Sequence, residues 1–247
     1  VDNMKHIFTR SFLMALGGVS ILLFALFLKS PRFDYTSDVD MHKVVLQLEG
    51  NGGKCSGEQI ETDSGHEYVL TAAHCKNLQE DGSIQVTTED GRTLMRRIIA
   101  EDQYSDLMLL EPVPDMKGIK LASSWERNQH IRTFTHGGGL PTYKTEGELI
   151  ASMHIDVELW MIDSLESEDL CSKPKHAVKS VRTFFGDFKI CALSANEVAT
   201  TAMTIPGSSG GMAVDDNGRL VGVVSAGGRN IGFLVPLEAI QDFLYNY

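Results

Sequence analysis

From Val44 onward, short apolar runs alternate with clusters of turn-forming residues, and their lengths are those of strands rather than helices. Val44-Val45-Leu46-Gln47-Leu48 comes first and is closed by the turn Gly50-Asn51-Gly52-Gly53. Tyr68-Val69-Leu70, Ile84-Gln85-Val86, Met95 to Ile99 and Leu107 to Leu110 follow. After a polar middle the pattern returns in Lys189-Ile190-Cys191-Ala192, Leu220 to Ser225 and Ile231 to Val235. The last segment alone has helical spacing, with Leu237, Ile240, Phe243 and Leu244 on one face and Pro236 at its start. Many short strands and one closing helix predict an all-β protein of the barrel class. No internal repeat or low-complexity tract interrupts them.

The N-terminal region has a different character. Val1-Asp2-Asn3 are set aside as a remnant ahead of Met4, and residues 1–10 form a short tail. Ser11 to Leu28 is an uncharged run of 18 residues, apolar on every side. That is the lower edge of what spans a bilayer, and it predicts a signal anchor. A cleaved signal peptide is the alternative, although no small-x-small cleavage site follows the run. Lys5 and Arg10 on one side balance Lys29 and Arg32 on the other, so flanking charge leaves the orientation open. Residues 29–43 are polar, contain Pro31 and read as a linker to a domain spanning 44–247.

Composition narrows the function by exclusion. The net charge of −11 argues against a nucleic-acid partner, which requires a basic face. The 43% hydrophobic and 22% charged content is that of an ordinary globular chain. Cys55, Cys75, Cys171 and Cys191 form no C-x-x-C pair, so neither zinc nor dithiol chemistry is indicated, and three disulfide pairings remain open. His130, His136, His154 and His176 are scattered without a second ligand at metal-binding spacing, so no metal site is expected. His136-Gly137-Gly138-Gly139 lacks the Lys-Ser/Thr of a phosphate loop and reads as a turn, while the acidic stretch from Leu165 to Leu170 reads as a surface loop. No cofactor is expected.

Candidate chemistry lies in three places. Thr71-Ala72-Ala73-His74-Cys75 ends an apolar strand and puts His74 at a strand-to-loop junction. Ser105-Asp106-Leu107-Met108-Leu109-Leu110 opens another strand with a single carboxylate. Thr204-Ile205-Pro206-Gly207-Ser208-Ser209-Gly210-Gly211 places Ser209 among small residues, where backbone N–H groups can converge on one point. Each alone has an ordinary explanation as a core histidine, a turn acid or a glycine-serine loop. Their occurrence in the order His, Asp, Ser is harder to explain that way.

These three blocks, Thr-Ala-Ala-His-Cys, Asp-Leu-x-Leu-Leu and Gly-x-Ser-Gly-Gly, resemble the chymotrypsin/trypsin superfamily of serine proteases over roughly Val44 to Tyr247. The resemblance implies two six-stranded antiparallel β-barrels with the site between them, and a serine endopeptidase acting on proteins or peptides. His74 would be the base, Asp106 its orienting acid and Ser209 the nucleophile, with the amides of Gly207 and Ser209 as the oxyanion hole. Activity would then fall as His74 protonates, near about pH 6 to 7 for an unperturbed imidazole. The resemblance also implies disulfides Cys55–Cys75 and Cys171–Cys191, each closing a loop of about 20 residues and worth about 3 kcal/mol. Bridges of this kind place the protease domain outside the cytoplasm, in the periplasm or the extracellular space, whether anchored by residues 11–28 or secreted after cleavage.

Departures from the family pattern are as informative. Ser208 stands where digestive members carry the aspartate that pairs with a new N-terminus, and no Ile-Val-Gly-Gly start follows the linker. The resemblance of Ile205 to Ser209 is closest to the HtrA-like and glutamyl-endopeptidase branch, competent as synthesised, here without a PDZ-like appendage. By the same analogy Met203 forms the base of the primary pocket, Gly227 and Gly232 its walls, and Ser225-Ala226-Gly227 the edge that pairs with substrate backbone. That slot would accept an uncharged apolar side chain. A catalytically silent binding module of the same fold, or an esterase using the same triad, are the alternative functions.

Overall fold

Strand signals dominate because the alternating residues of each run find two different cores. In a computed structural model that describes residues 41–161, 176–183, 186–228 and 231–247, these residues belong to one compact unit. After a helical turn at 41–44, β1 (Val45–Gly50), β2 (Gly53–Glu61), β3 (Glu67–Ala72), β4 (Ser83–Thr87), β5 (Thr93–Asp102) and β6 (Leu107–Leu110) are joined in the order β1-β4-β5-β6-β3-β2. Pairing of β1 with β2 closes them into an antiparallel barrel, and β7 (Ile119–Lys120) adds to β2 in parallel.

The second barrel is built from β8 (His130–Thr135), β9 (Tyr143–Met161), β11 (Gly186–Thr200), β12 (Met212–Val214), β13 (Leu220–Gly228) and β14 (Ile231–Pro236). Its order is β11-β14-β13-β12-β8-β9, and β9 closes on β11. β10 (His176–Thr183) extends β11 outward. The closing helix, α1 (Leu237–Tyr245), starts at Pro236 and buries Leu237, Ile240 and Phe243. Both barrels therefore close on six strands with a seventh appended, and closure removes most of the exposed sheet edge.

The continuous apolar run of β6 follows from this arrangement. Met108 and Leu110 enter the interior of the first barrel with Leu46, Leu48, Ile84 and Val86. Leu107 and Leu109 face the other way, into a cluster shared with Phe134, Met212, Val223 and α1. A strand buried on both faces has no polar side to alternate with. The turn after β1 has Asn51 at φ 44° and Gly52 at φ 76°, the left-handed pair that a tight hairpin requires.

The polar middle is where the structure departs from expectation. It contains β8 and β9, and the strand character of β8 is hidden because Arg132, Thr133 and Thr135 are polar yet buried. Thr133 and Thr145 hydroxyls share a hydrogen bond of 2.6 Å, and Arg132 donates to the carbonyl of Asp215 at 3.1 Å. Residues 1–40 and 162–175 lie outside the described residues, and with them the expected anchor at 11–28, the acidic loop at 165–170 and Cys171 of the second bridge. Among the described residues no helix is long and apolar enough to cross a membrane.

Candidate active site

His74, Asp106 and Ser209 come from three separate loops that meet where the two barrels face each other. β3 ends at Ala72, and the 3₁₀ turn Ala73–Leu78 that follows carries His74 in its first turn. Asp106 sits in the β5–β6 turn at φ 56°, a left-handed conformation that aspartate tolerates better than most residues. It holds His74 twice over. Its carbonyl accepts the Ala73 N–H at 3.0 Å, and its Oδ1 accepts the His74 backbone N–H at 2.9 Å. The imidazole Nδ1 then lies 2.8 Å from Oδ2 and 3.1 Å from Oδ1. Asp106 is only 2% exposed, so this contact is protected from water. Burial pulls the His74 pKa down, but the charge of Asp106 and its hydrogen bond outweigh it, and the net direction is upward.

The nucleophile loop is pinned to both barrels. Ser209 gives its carbonyl to the Ser56 N–H of β2 at 2.8 Å, and Gly210 N–H donates to Val224 of β13 at 2.7 Å. Gly207, at φ 90°, has its carbonyl held by the Ser56 hydroxyl at 2.9 Å. The Gly137–Gly139 turn packs alongside, with Gly138 N–H donating to Pro206 at 2.6 Å. Among the described residues no acceptor takes the N–H of Gly207 or Ser209, so both donors stay open to a ligand. The Ser209 hydroxyl donates to the Ser225 carbonyl at 3.3 Å.

Ser208 is buried and held only by neutral groups. Its hydroxyl shares hydrogen bonds with Tyr143 at 2.8 Å and Thr135 at 3.1 Å, and accepts the Ile205 N–H at 3.3 Å. No charged group is needed to satisfy it.

His74 and Ser209 line one cavity of about 250 Å³ together with Thr204, Ile205, Pro206, Ser208, Val224, Ser225, Ala226 and Gly227. Of the residues expected to shape a specificity pocket, Ser225, Ala226 and Gly227 are in this wall. Met203 is not; it is 48% exposed, with its carbonyl held by Thr145. Thr204 takes the inner place instead, its hydroxyl donating to the Ala226 carbonyl at 3.3 Å. A Cβ on Gly227 would meet that hydroxyl at 1.6 Å, which explains the glycine. Gly232 pairs with Gly227 across β13 and β14, behind the wall.

Cys55 and Cys75 form a disulfide beside His74. These three residues bring ligand-type atoms within 4.8 Å of one another, but both sulfurs are bonded to each other and offer no thiolate to a metal. Two residues were given no role of their own in the sequence reading. Thr204 was one residue from the position expected by analogy. Glu197 of β11 is 1% exposed, and burial, then the Asp106 charge, push its carboxyl up to about 8.

The model of the trypsin-like peptidase domain family matches residues 55–223. No curated protein sequence matches the chain at a significant level. Among solved structures, the Rv3671c protease in its inactive form aligns with a TM-score of 0.61 at 16% identity, covering 85% of this chain and 91% of that one. The active form of that protease, from M. tuberculosis, gives a TM-score of 0.62 at 15% identity over 85% and 82%. The serine endoprotease from Yersinia pestis gives 0.61 at 17% identity over 88% and 67%. At such identities these likenesses speak for a shared fold.

Proposed function

Since the chain belongs to the trypsin-like peptidase domain family, we propose that it is a serine endopeptidase whose triad is His74, Asp106 and Ser209. The observation that carries this reading is the grip of Asp106 on His74 through both backbone and ring, in the same cavity that Ser209 lines. Asp106 fixes the tautomer with the proton on Nδ1, leaving Nε2 free to accept. In the proposed reaction the Ser209 hydroxyl turns from the Ser225 carbonyl to His74 and attacks the scissile carbonyl carbon while Nε2 takes its proton. The open N–H groups of Gly207 and Ser209 stabilise the oxyanion, each worth about 10² to 10³ in rate. His74 then protonates the leaving amine, and a water activated by the same imidazole releases the acyl group from Ser209.

The neutral anchoring of Ser208 supports activity without zymogen cleavage, because the residue before Ser209 is satisfied by hydroxyl groups and needs no new N-terminal amine. This is the behaviour expected of the HtrA-like and glutamyl-endopeptidase branch, which the nucleophile loop resembles. Apart from His74 the cavity wall carries no ionisable side chain, and Thr204 adds a hydroxyl. These features favour an uncharged substrate side chain of modest size before the scissile bond. The Cys55–Cys75 bridge supports an extracytoplasmic domain, tethered by residues 11–28.

Labelling with a fluorophosphonate, paired with casein and ester assays, tests the assignment. The expected result is label on Ser209, cleavage of casein, and loss of at least about 10⁴-fold in turnover for Ser209→Ala. Undiminished proteolysis by that variant would remove Ser209 from the mechanism. A protein that neither labels nor cleaves is a binding module, and one that turns over only esters is an esterase.

A further inference from the structure

The run His136-Gly137-Gly138-Gly139, to which the proposed reaction gives no part, lies against the nucleophile loop and is tied to it through Ser56. Ser56 is fully buried in β2, and every one of its polar groups has a partner. Its N–H donates to the Ser209 carbonyl at 2.8 Å, and its carbonyl accepts the Thr71 hydroxyl at 2.7 Å. Its hydroxyl accepts the His136 N–H at 2.8 Å and donates to the Gly207 carbonyl at 2.9 Å. A hydroxyl has one proton, and of these two partners only the carbonyl can receive it, so both directions are fixed.

Ile205 to Ser208 form a β-turn, closed by the Ser208 N–H to the Ile205 carbonyl at 2.9 Å, with Pro206 second and Gly207 third at φ 90°. That is the pattern of a type II turn. A type I turn of the same residues differs by rotation of the peptide between Pro206 and Gly207, which exchanges the places of the Pro206 carbonyl and the Gly207 N–H. In a trans peptide these two groups point opposite ways, so whatever holds the carbonyl also aims the N–H. Gly138 holds it, its own N–H donating at 2.6 Å. The glycines make this approach possible. Gly138 and Gly139 have φ of 65° and 69°, and a Cβ on Gly137 would lie 2.5 Å from Ile205 Cγ1 and 2.7 Å from the Ser208 hydroxyl oxygen. The turn starts at His136, whose N–H is the one that the Ser56 hydroxyl accepts.

We propose that Ser56 is a positioning residue for the oxyanion hole: its hydroxyl, shared between His136 and Gly207, seats the glycine turn so that Gly138 holds the Pro206 carbonyl and the Gly207 N–H is left for substrate. Without that hydroxyl the 206–207 peptide loses its bias, and in the type I form a carbonyl stands where the donor stood. The effect on catalysis rests on the proposed endopeptidase reading; the state of the turn does not, and the two are tested separately.

For the first, kcat and KM for a peptide substrate are measured in wild type, Ser56→Ala and Thr71→Val, each shown to be folded by circular dichroism. Thr71→Val removes another buried hydrogen bond of Ser56 but leaves its hydroxyl in place. An oxyanion donor acts in the transition state, so Ser56→Ala should lose about 10²-fold in kcat with KM within about threefold, and Thr71→Val less than about tenfold. A kcat of Ser56→Ala within about threefold of wild type, or equal losses in the two variants, overturns the proposal. For the second, NMR is applied to Ser209→Ala protein, which needs no activity. A type II turn brings the Pro206 Hα close to the Gly207 amide proton, and a type I turn moves them apart. The expected result is a strong cross-peak between them and slow hydrogen exchange at the Gly138 N–H, with the cross-peak weakened when Ser56→Ala is added. A weak cross-peak or fast Gly138 exchange in the Ser209→Ala protein itself, or a cross-peak indifferent to Ser56→Ala, overturns the proposal even where the enzyme reading stands. A turn that responds to Ser56 in a chain that cleaves nothing keeps the Ser56 arrangement and refutes the protease reading.

Discussion

Asp106 grips His74 through the backbone N–H and through Nδ1, so it sets both the place of the imidazole and its proton affinity. A base works only while neutral, and the raised pKa of His74 puts the acid limb of activity above that of an unperturbed histidine. Asp106→Asn removes the charge that opposes desolvation. The limb should move to lower pH, and kcat should fall by about 10⁴ because the tautomer is no longer enforced. A kcat profile with an unshifted limb would count against Asp106 as the partner. His74, Asp106 and Ser209, the proposed triad, were legible because each sits in a short block of identities that resembles the family's. Thr204 lies in the same block as Ser209, but its place in the cavity was not legible, since that depends on packing against Ala226 and Gly227 of β13.

The nucleophile loop shows how an element can be fixed by what surrounds it rather than by its own propensity. Gly210 combines φ 80° with a site where a Cβ would lie 2.1 Å from the Thr71 hydroxyl oxygen and 2.3 Å from the Ser56 carbonyl. Gly210→Ala should therefore cost about 2 kcal/mol or more in urea unfolding. Gly65→Ala has a similar φ of 81° with nothing within 4 Å, and should cost only about 1 kcal/mol. Equal losses in the two variants would mean that backbone strain alone, and not the fit between barrels, explains Gly210. Strands with uninterrupted apolar runs, such as β6, and the closing helix α1 were readable from their pattern. β8 was not, because Arg132, Thr133 and Thr135 are buried and polar together, and a period-2 reading counts them as surface.

At the scale of the molecule, two buried glutamates set the response to pH. Glu58 in the first barrel has neither carboxyl oxygen hydrogen-bonded among the described residues, and burial holds its pKa well above the usual range. Glu197 is pushed up to about 8. For an acid whose folded pKa is raised, the stabilising contribution is complete below the unfolded pKa of about 4.3 and is lost as pH rises through the folded value. Tm should thus decline between about pH 5 and 8, and Glu58→Gln should flatten part of that decline in a thermal melt series. A wild-type Tm independent of pH across this window would show that the two carboxyls ionise freely. The sequence by itself determined the barrel class, the closing helix, the three loops that carry the proposed triad and, through family resemblance, the Cys55–Cys75 bridge, because alternation, turn residues and short motifs are local properties. Only the tertiary structure decided that Thr204 rather than Met203 lines the cavity, that Ser208 rests on neutral hydroxyls, and that the carboxyls of Glu58 and Glu197 are buried. Those facts depend on which strands meet across a closed barrel, and a chain read one residue at a time does not carry the distances between its distant parts.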